Sequence, residues 1–207
     1  MSKLILPTLG LGGAGAAGFG AYMLIPRDAE ITFAVKYKNA ILNPTGDESL
    51  WNSKFTSLNG KTVKHLKLQS AVTQHSSNSE NAKALHKEAC KDIYNSPFEN
   101  SDYQKDFQDY CARNLKDEIG SKWITEEKGG SKWTARLTSL KSHSESNGEL
   151  DDTLKGIKTS ISNDNNNTFD DTKRENLKNW CTSAGAEIFN STEDARFKLV
   201  KLYCSEP

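Results

Sequence analysis

This 207-residue chain has no excess charge of either sign, its 27 lysines and arginines balancing 27 aspartates and glutamates. No net field gathers a polyanion and no basic stripe is interleaved with aromatics, so nucleic acid is not expected as a partner. Close Cys-x-x-Cys pairs are missing, which removes the common ligand spacing of a structural zinc site. Also missing are a phosphate-cradling glycine loop with its lysine, a His-Glu-x-x-His helix and a Gly-x-Ser-x-Gly elbow. The four histidines, His65, His75, His86 and His143, have no counterparts in one another's surroundings. No enzymatic activity, cofactor or metal is therefore expected. Apolar residues make up only 35% of the chain, which predicts a thin core and helices with wide polar faces.

One stretch lacks charge altogether. Between Lys3 and Arg27 nothing ionises, and Leu4 to Ile25 spans 22 residues. As a helix this is about 33 Å, enough to cross a hydrocarbon core of about 30 Å. A single-pass membrane anchor is expected at residues 1–27. Six glycines in the run lower its helix propensity and hydrophobicity. Gly10, Ala14 and Gly18 lie four apart, as do Gly13, Ala17 and Ala21, a small-xxx-small pattern that lets membrane helices self-associate closely. A cleaved signal peptide is the competing reading, with Ala14-Gly15-Ala16 as its site, but cleavage there leaves a long apolar remnant. Arg27, Lys36 and Lys38 favour a cytoplasmic C-terminal part by charge count.

Behind the anchor the chain reads the same way twice. Trp51-Asn-Ser-Lys-Phe55-Thr-Ser-Leu58 returns as Trp133-Thr-Ala-Arg-Leu137-Thr-Ser-Leu140, and each copy closes on a Tyr-Cys pair, Tyr110-Cys111 and Tyr203-Cys204. The offset is 82 residues at the tryptophans, 91 from Cys90 to Cys181 and 93 from Cys111 to Cys204. The larger drift contains Asn163-Asp-Asn-Asn-Asn167, which reads as a loop insertion. Two copies are too few for a solenoid. The expected fold is mainly α, with two related helical subdomains in tandem at 28–118 and 119–207.

Apolar spacing places most motifs on amphipathic helices. Trp51, Phe55 and Leu58 fall at i, i+4 and i+7, as do Trp133, Leu137 and Leu140, so each trio forms one repeat-core stripe. Ser49 and Ser131 are the expected N-caps. Ser146-Asn-Gly-Glu149 has capping-box spacing ahead of Leu150, Leu154, Ile157 and Ile161, and Val63, Leu66 and Val72 form the less regular equivalent. Helix, polar turn, helix follows in both copies. Ser77-Asn-Ser-Glu80 and Ser101-Asp-Tyr-Gln104 have capping-box spacing in the first copy, and Ser191-Thr-Glu-Asp194 precedes the last segment of the second. Alternation at Ile31, Phe33, Val35 and Tyr37 admits a very short strand, although the same run could continue as helix into Ala40-Ile41-Leu42, and Ile41 and Ile124 mark short extended links.

The cysteines suggest Cys90 with Cys111 and Cys181 with Cys204, each pair clamping one hairpin. Three connectivities are open, as is the alternative of four buried free thiols. His86 shares a helical face with Cys90, but the second copy has no histidine there. Asn166-Asn-Thr168 and Asn190-Ser-Thr192 match glycosylation acceptors.

The small-residue N-terminus, the Trp-x-x-x-[Phe/Leu]-Thr-Ser-Leu repeat, Leu177-Lys-Asn-Trp180-Cys181 and Phe197-Lys-Leu-Val200-Lys-Leu-Tyr203-Cys204 resemble a paralogous family of haemotropic mycoplasmas over nearly the whole chain. The resemblance implies a multi-copy protein of a wall-less blood parasite, surface exposed and antigenically variable, with no assigned chemistry. On that basis the C-terminal part is expected outside the cell membrane, where it binds host surface components or diversifies the coat. The alternative is a structural or assembly module on the cytoplasmic face.

Overall fold

Thr32 decides how the folded part begins. Its hydroxyl accepts the Val35 N–H at 3.4 Å, and this cap turns the alternating Ile31–Tyr37 run into one helical turn, α1 (Phe33–Lys36), the helical alternative to a short strand. The structure, a computed structural model, describes residues 30–164 and 168–207. The anchor expected over residues 4–25, its small-residue pattern and the centre of the Asn-rich tract lie outside the described residues. Among those described, no helix is long and apolar enough to cross a membrane.

After α1 come α2 (Glu48–Leu58), α3 (Leu66–Gln74), α4 (Ser79–Asn95) and α5 (Gln104–Asp106), which runs into a π-turn at Phe107–Cys111. Then follow α6 (Leu115–Ile119), α7 (Ser131–Lys141), α8 (Asp152–Ile161), α9 (Asp171–Gly185) and α10 (Ala195–Cys204). The protein is mainly helical, and extended pairing among the described residues is limited to isolated bridges. Several helices start elsewhere than the capping patterns predict. Asp47, not Ser49, precedes α2, and Gly130, not Ser131, precedes α7. Asn78 caps α4 through Asn81, while Ser101 accepts the Tyr103 N–H and α5 begins only at Gln104. Before α8, Gly148 at φ 101° breaks the path from Ser146, and Asp151 takes the cap by accepting the Leu154 N–H at 2.8 Å. In α3 the buried face is Leu68 and Ala71, whereas Leu66 is 75% exposed.

Buried apolar side chains fall into two clusters. One gathers Trp51, Leu58, Leu68, Ile93 and Phe107; the other gathers Trp133, Leu137, Leu154, Leu177 and Val200. The bridges show how deep the likeness between them runs. Thr32 pairs with Pro97 and Asn114 with Ile188; Ile41 pairs with Ala112 and Trp123 with Ser205. From the first pair to its counterpart the shifts are 82 and 91 residues, and from the second 82 and 93, the same offsets that separate the tryptophans and cysteines. The equivalence therefore reaches back to Thr32, and the extended links match at Ile41 and Trp123, one residue before Ile124. Leu115 packs in the second cluster, so α6 is the counterpart of α1 and the two units divide at Arg113, a few residues before the expected 118/119 boundary. Arg113 serves both units. Its N–H donates to Ala40 O at 2.8 Å, and its carbonyl accepts the Phe189 N–H at 3.0 Å.

Candidate functional site

Each unit is stapled where its two long arms meet. Cys90 on α4 is bonded to Cys111 at the end of the π-turn, with Cα atoms 5.2 Å apart, and Cys181 on α9 is bonded to Cys204 at the end of α10, with Cα atoms 5.6 Å apart. All four sulfurs belong to buried residues, and no free cysteine remains. Bridging 21 and 23 residues contributes about 3 kcal/mol each in the chain-entropy view. Beside each staple stands the repeat-core stripe. Trp51, Phe55 and Leu58 are buried in the first unit, and Trp133, Leu137 and Leu140 in the second. The indole N–H groups donate to Asn43 O at 3.0 Å and Glu126 O at 2.9 Å, so both tryptophans anchor the loop that leads into their own helix.

His86 and His143 have structural partners. His86 lies against the first staple, with its ligand atom and the Cys90 and Cys111 sulfurs mutually within 4.8 Å. The two sulfurs are joined to each other and present no thiolate, so the trio is not a ligand set in this state. His86 Nε2–H donates to Tyr110 O at 2.9 Å. Burial drives its pKa down to about 4, against a smaller upward pull from that carbonyl. His143 is also engaged on both nitrogens, accepting from the Tyr203 hydroxyl through Nδ1 and donating to Gly148 O at 2.9 Å through Nε2. It borders an open hollow of 610 Å³, where Lys155 is paired with Glu149 and Lys158 donates to His143 O.

The most developed polar constellation joins the two units, and the sequence pattern did not single it out. Lys54, flanking the tryptophan stripe on the same face of α2, is 7% exposed and reaches across to the first residues of the second unit. Its ammonium donates to Asn114 Oδ1 and pairs with Asp117 Oδ2 at 2.9 Å. Asn114 Nδ2 donates to Gln108 O at 3.1 Å and Ala186 O at 2.8 Å, and its backbone N–H to Asp117 Oδ2 at 2.8 Å. The amide of Asn114 thus uses both donors and its acceptor. Gln108 Nε2 adds a second bond to Ala186 O at 2.9 Å, and Arg113 pairs with Asp47 at 2.7 Å. A cleft of 250 Å³ opens on this joint, lined among others by Lys54, Asp109, Asp117, Trp123 and Gly185. Its charges neutralise one another. The arrangement holds the two units together.

The far wall of that cleft records an exchange between the copies. Tyr94 and Gly185 stand 91 residues apart, as the cysteines Cys90 and Cys181 do. In the first unit the Tyr94 hydroxyl sits between the Leu42 N–H, at 3.4 Å, and Cys111 O, at 2.6 Å. In the second unit Ile124 N–H reaches Cys204 O directly at 3.0 Å, and the vacated volume is filled by the Trp123 ring.

No protein-family model, curated protein or solved structure matches this chain. What can be said of its function rests on the residues and their geometry.

Proposed function

We propose that this chain is a membrane-anchored binding protein of the cell surface, with two disulfide-stapled helical units held outward on an N-terminal single-pass anchor. The observation that carries this reading is the pair of buried disulfides, one in each unit. Such bonds persist in oxidising surroundings and are rare where cellular thiols keep cysteines reduced. Both staples are kept while polar core side chains are exchanged: His86 matches Leu177, and Asp106 matches Leu199. A preserved frame with changing side chains suits a protein whose partners are met by its surface. The uncharged run at residues 4–25 supplies the tether, and the family resemblance supplies the setting, the outer face of a wall-less cell in contact with host components.

Protease treatment of intact cells, with thiol alkylation before and after reduction, tests this proposal. Digestion of a C-terminally tagged chain on unbroken cells, with alkylation only after reduction, is the expected result. Protection until the cells are opened, with four thiols alkylated directly, would sink it and favour the assembly module on the cytoplasmic face.

A further inference from the structure

The joint between the two units has an unused counterpart at each end of the pair. Shifting the second unit's side of the joint back by the repeat offset lands on the first unit's α1, where Arg113 maps to Ile31 and Asp117 to Val35. Shifting the first unit's side forward lands on α7 and α10, where Ser53 maps to Ala135, Lys54 to Arg136, Gln108 to Lys201 and Asp109 to Leu202. The α1 face is open: Ile31 is 48% and Val35 58% exposed, two of the three exposed large apolar side chains among the described residues. Two of the replacements match across the gap, while Arg136, in the place of Lys54, donates to Ser205 O of its own unit at 2.8 Å. Asp109 and Asp117 face the same cleft around Lys54 inside the molecule, and at the ends these two carboxylates are replaced by Leu202 and Val35. The donor survives as well. Gln108 bonds the Ala186 carbonyl, and Lys201 would stand opposite its equivalent, Asn95, the last residue of α4, where helix carbonyls favour a cation.

We propose that a second copy of this chain docks its α1 face, Ile31 and Val35, onto the α7 and α10 face, Ala135 and Leu202, of the first, repeating between molecules the joint that Arg113 spans within one. The contact is head to tail, so each docked pair keeps one free face of each kind and association continues into a ring or a filament. It is separate from any pairing of anchors through Gly10, Ala14 and Gly18.

The test uses the full chain in detergent, with mass measured by sedimentation across a concentration series. Wild type is expected to grow past the dimer. Val35→Glu and Ala135→Glu, each placing a charge in the contact, are each expected to weaken association about tenfold or more. Mixed one to one, they are expected to form a dimer and nothing larger, because one keeps an intact α1 face and the other an intact α7 face. Lys201→Glu, on an exposed side chain, stands in for Ala135→Glu if circular dichroism shows that variant to be unfolded. A wild type that stays monomeric, through cover by residues 1–29 or otherwise, overturns the proposal. So do variants that keep the wild-type distribution, which would assign association to the anchor, and so does a Val35→Glu effect that Ala135→Glu and Lys201→Glu both fail to share, which would indicate a two-fold contact of α1 with itself.

Discussion

His86 puts an acid-sensitive group into one core at the position where its counterpart, Leu177, is apolar. The imidazole is buried edge-on to Trp51, with ring centroids 5.3 Å apart, and is held neutral by desolvation with a pKa of about 4, below the ordinary 6.5 of a histidine. Between those two values the unfolded chain binds a proton that the folded chain refuses. Stability is therefore full above about pH 6.5 and falls as the pH drops towards 4, by at most about 3 kcal/mol from this group. His86→Leu should flatten the stability profile over that window, read by denaturant unfolding at several pH values. An unchanged slope would mean that the imidazole protonates as readily in the folded protein as in water. The residue itself is plain in the sequence, but its role is not, because lying beside the staple and under Tyr110 O depends on how α4 meets the π-turn. Lys54 was hidden in the same way. It stands in the middle of the tryptophan stripe as an ordinary polar position, and only the arrival of Asn114 and Asp117 from 60 or more residues away buries it.

At the scale of elements, the stripes are set by local spacing, and the start points are set by competition among nearby oxygens. Trp51, Phe55 and Leu58 share a face on any α-helix, and so do Trp133, Leu137 and Leu140; both trios are buried. The caps did not follow the capping-box pattern, because Asp151 and Asn78 compete with the neighbouring serines, and φ at Gly148 decides one case outright. How α9 meets the link before α7 rests on a missing side chain. A Cβ on Gly185 would lie 2.6 Å from Trp123 Cη2 and 3.2 Å from Lys116 Cβ. Gly185→Ala should cost about 1–3 kcal/mol from this overpacking. In a Trp123→Ile background, which restores the residue found at Ile41, that cost should shrink by about 1 kcal/mol or more in a double-mutant cycle of chemical denaturation. Strictly additive costs would show that the indole yields freely and that the exchange with Tyr94 is incidental.

Over the whole molecule, two small cores depend on one another through one joint, with the Asn114 amide at its centre. Asn114 ties the π-turn of the first unit to the end of α9 in the second, and with Asp117 it satisfies the ammonium of Lys54. Asn114→Ala leaves that ammonium and the Ala186 carbonyl short of partners, a loss of about 1–3 kcal/mol. Because the loss falls on the joint, unfolding should change from one transition to two when followed by probes in each unit. A single transition at the wild-type midpoint would refute the coupling. The duplication, the helical class, the cysteine spacing and the tryptophan stripes were determined by the sequence alone, since each follows from residue periodicity or from one segment compared with another. The division at Arg113, the burial of Lys54, the exchange of Tyr94 for Trp123 and the open α1 face were decided only by the tertiary structure. Each of these depends on which surfaces meet across more than 50 residues of chain, and local spacing carries no information about such meetings.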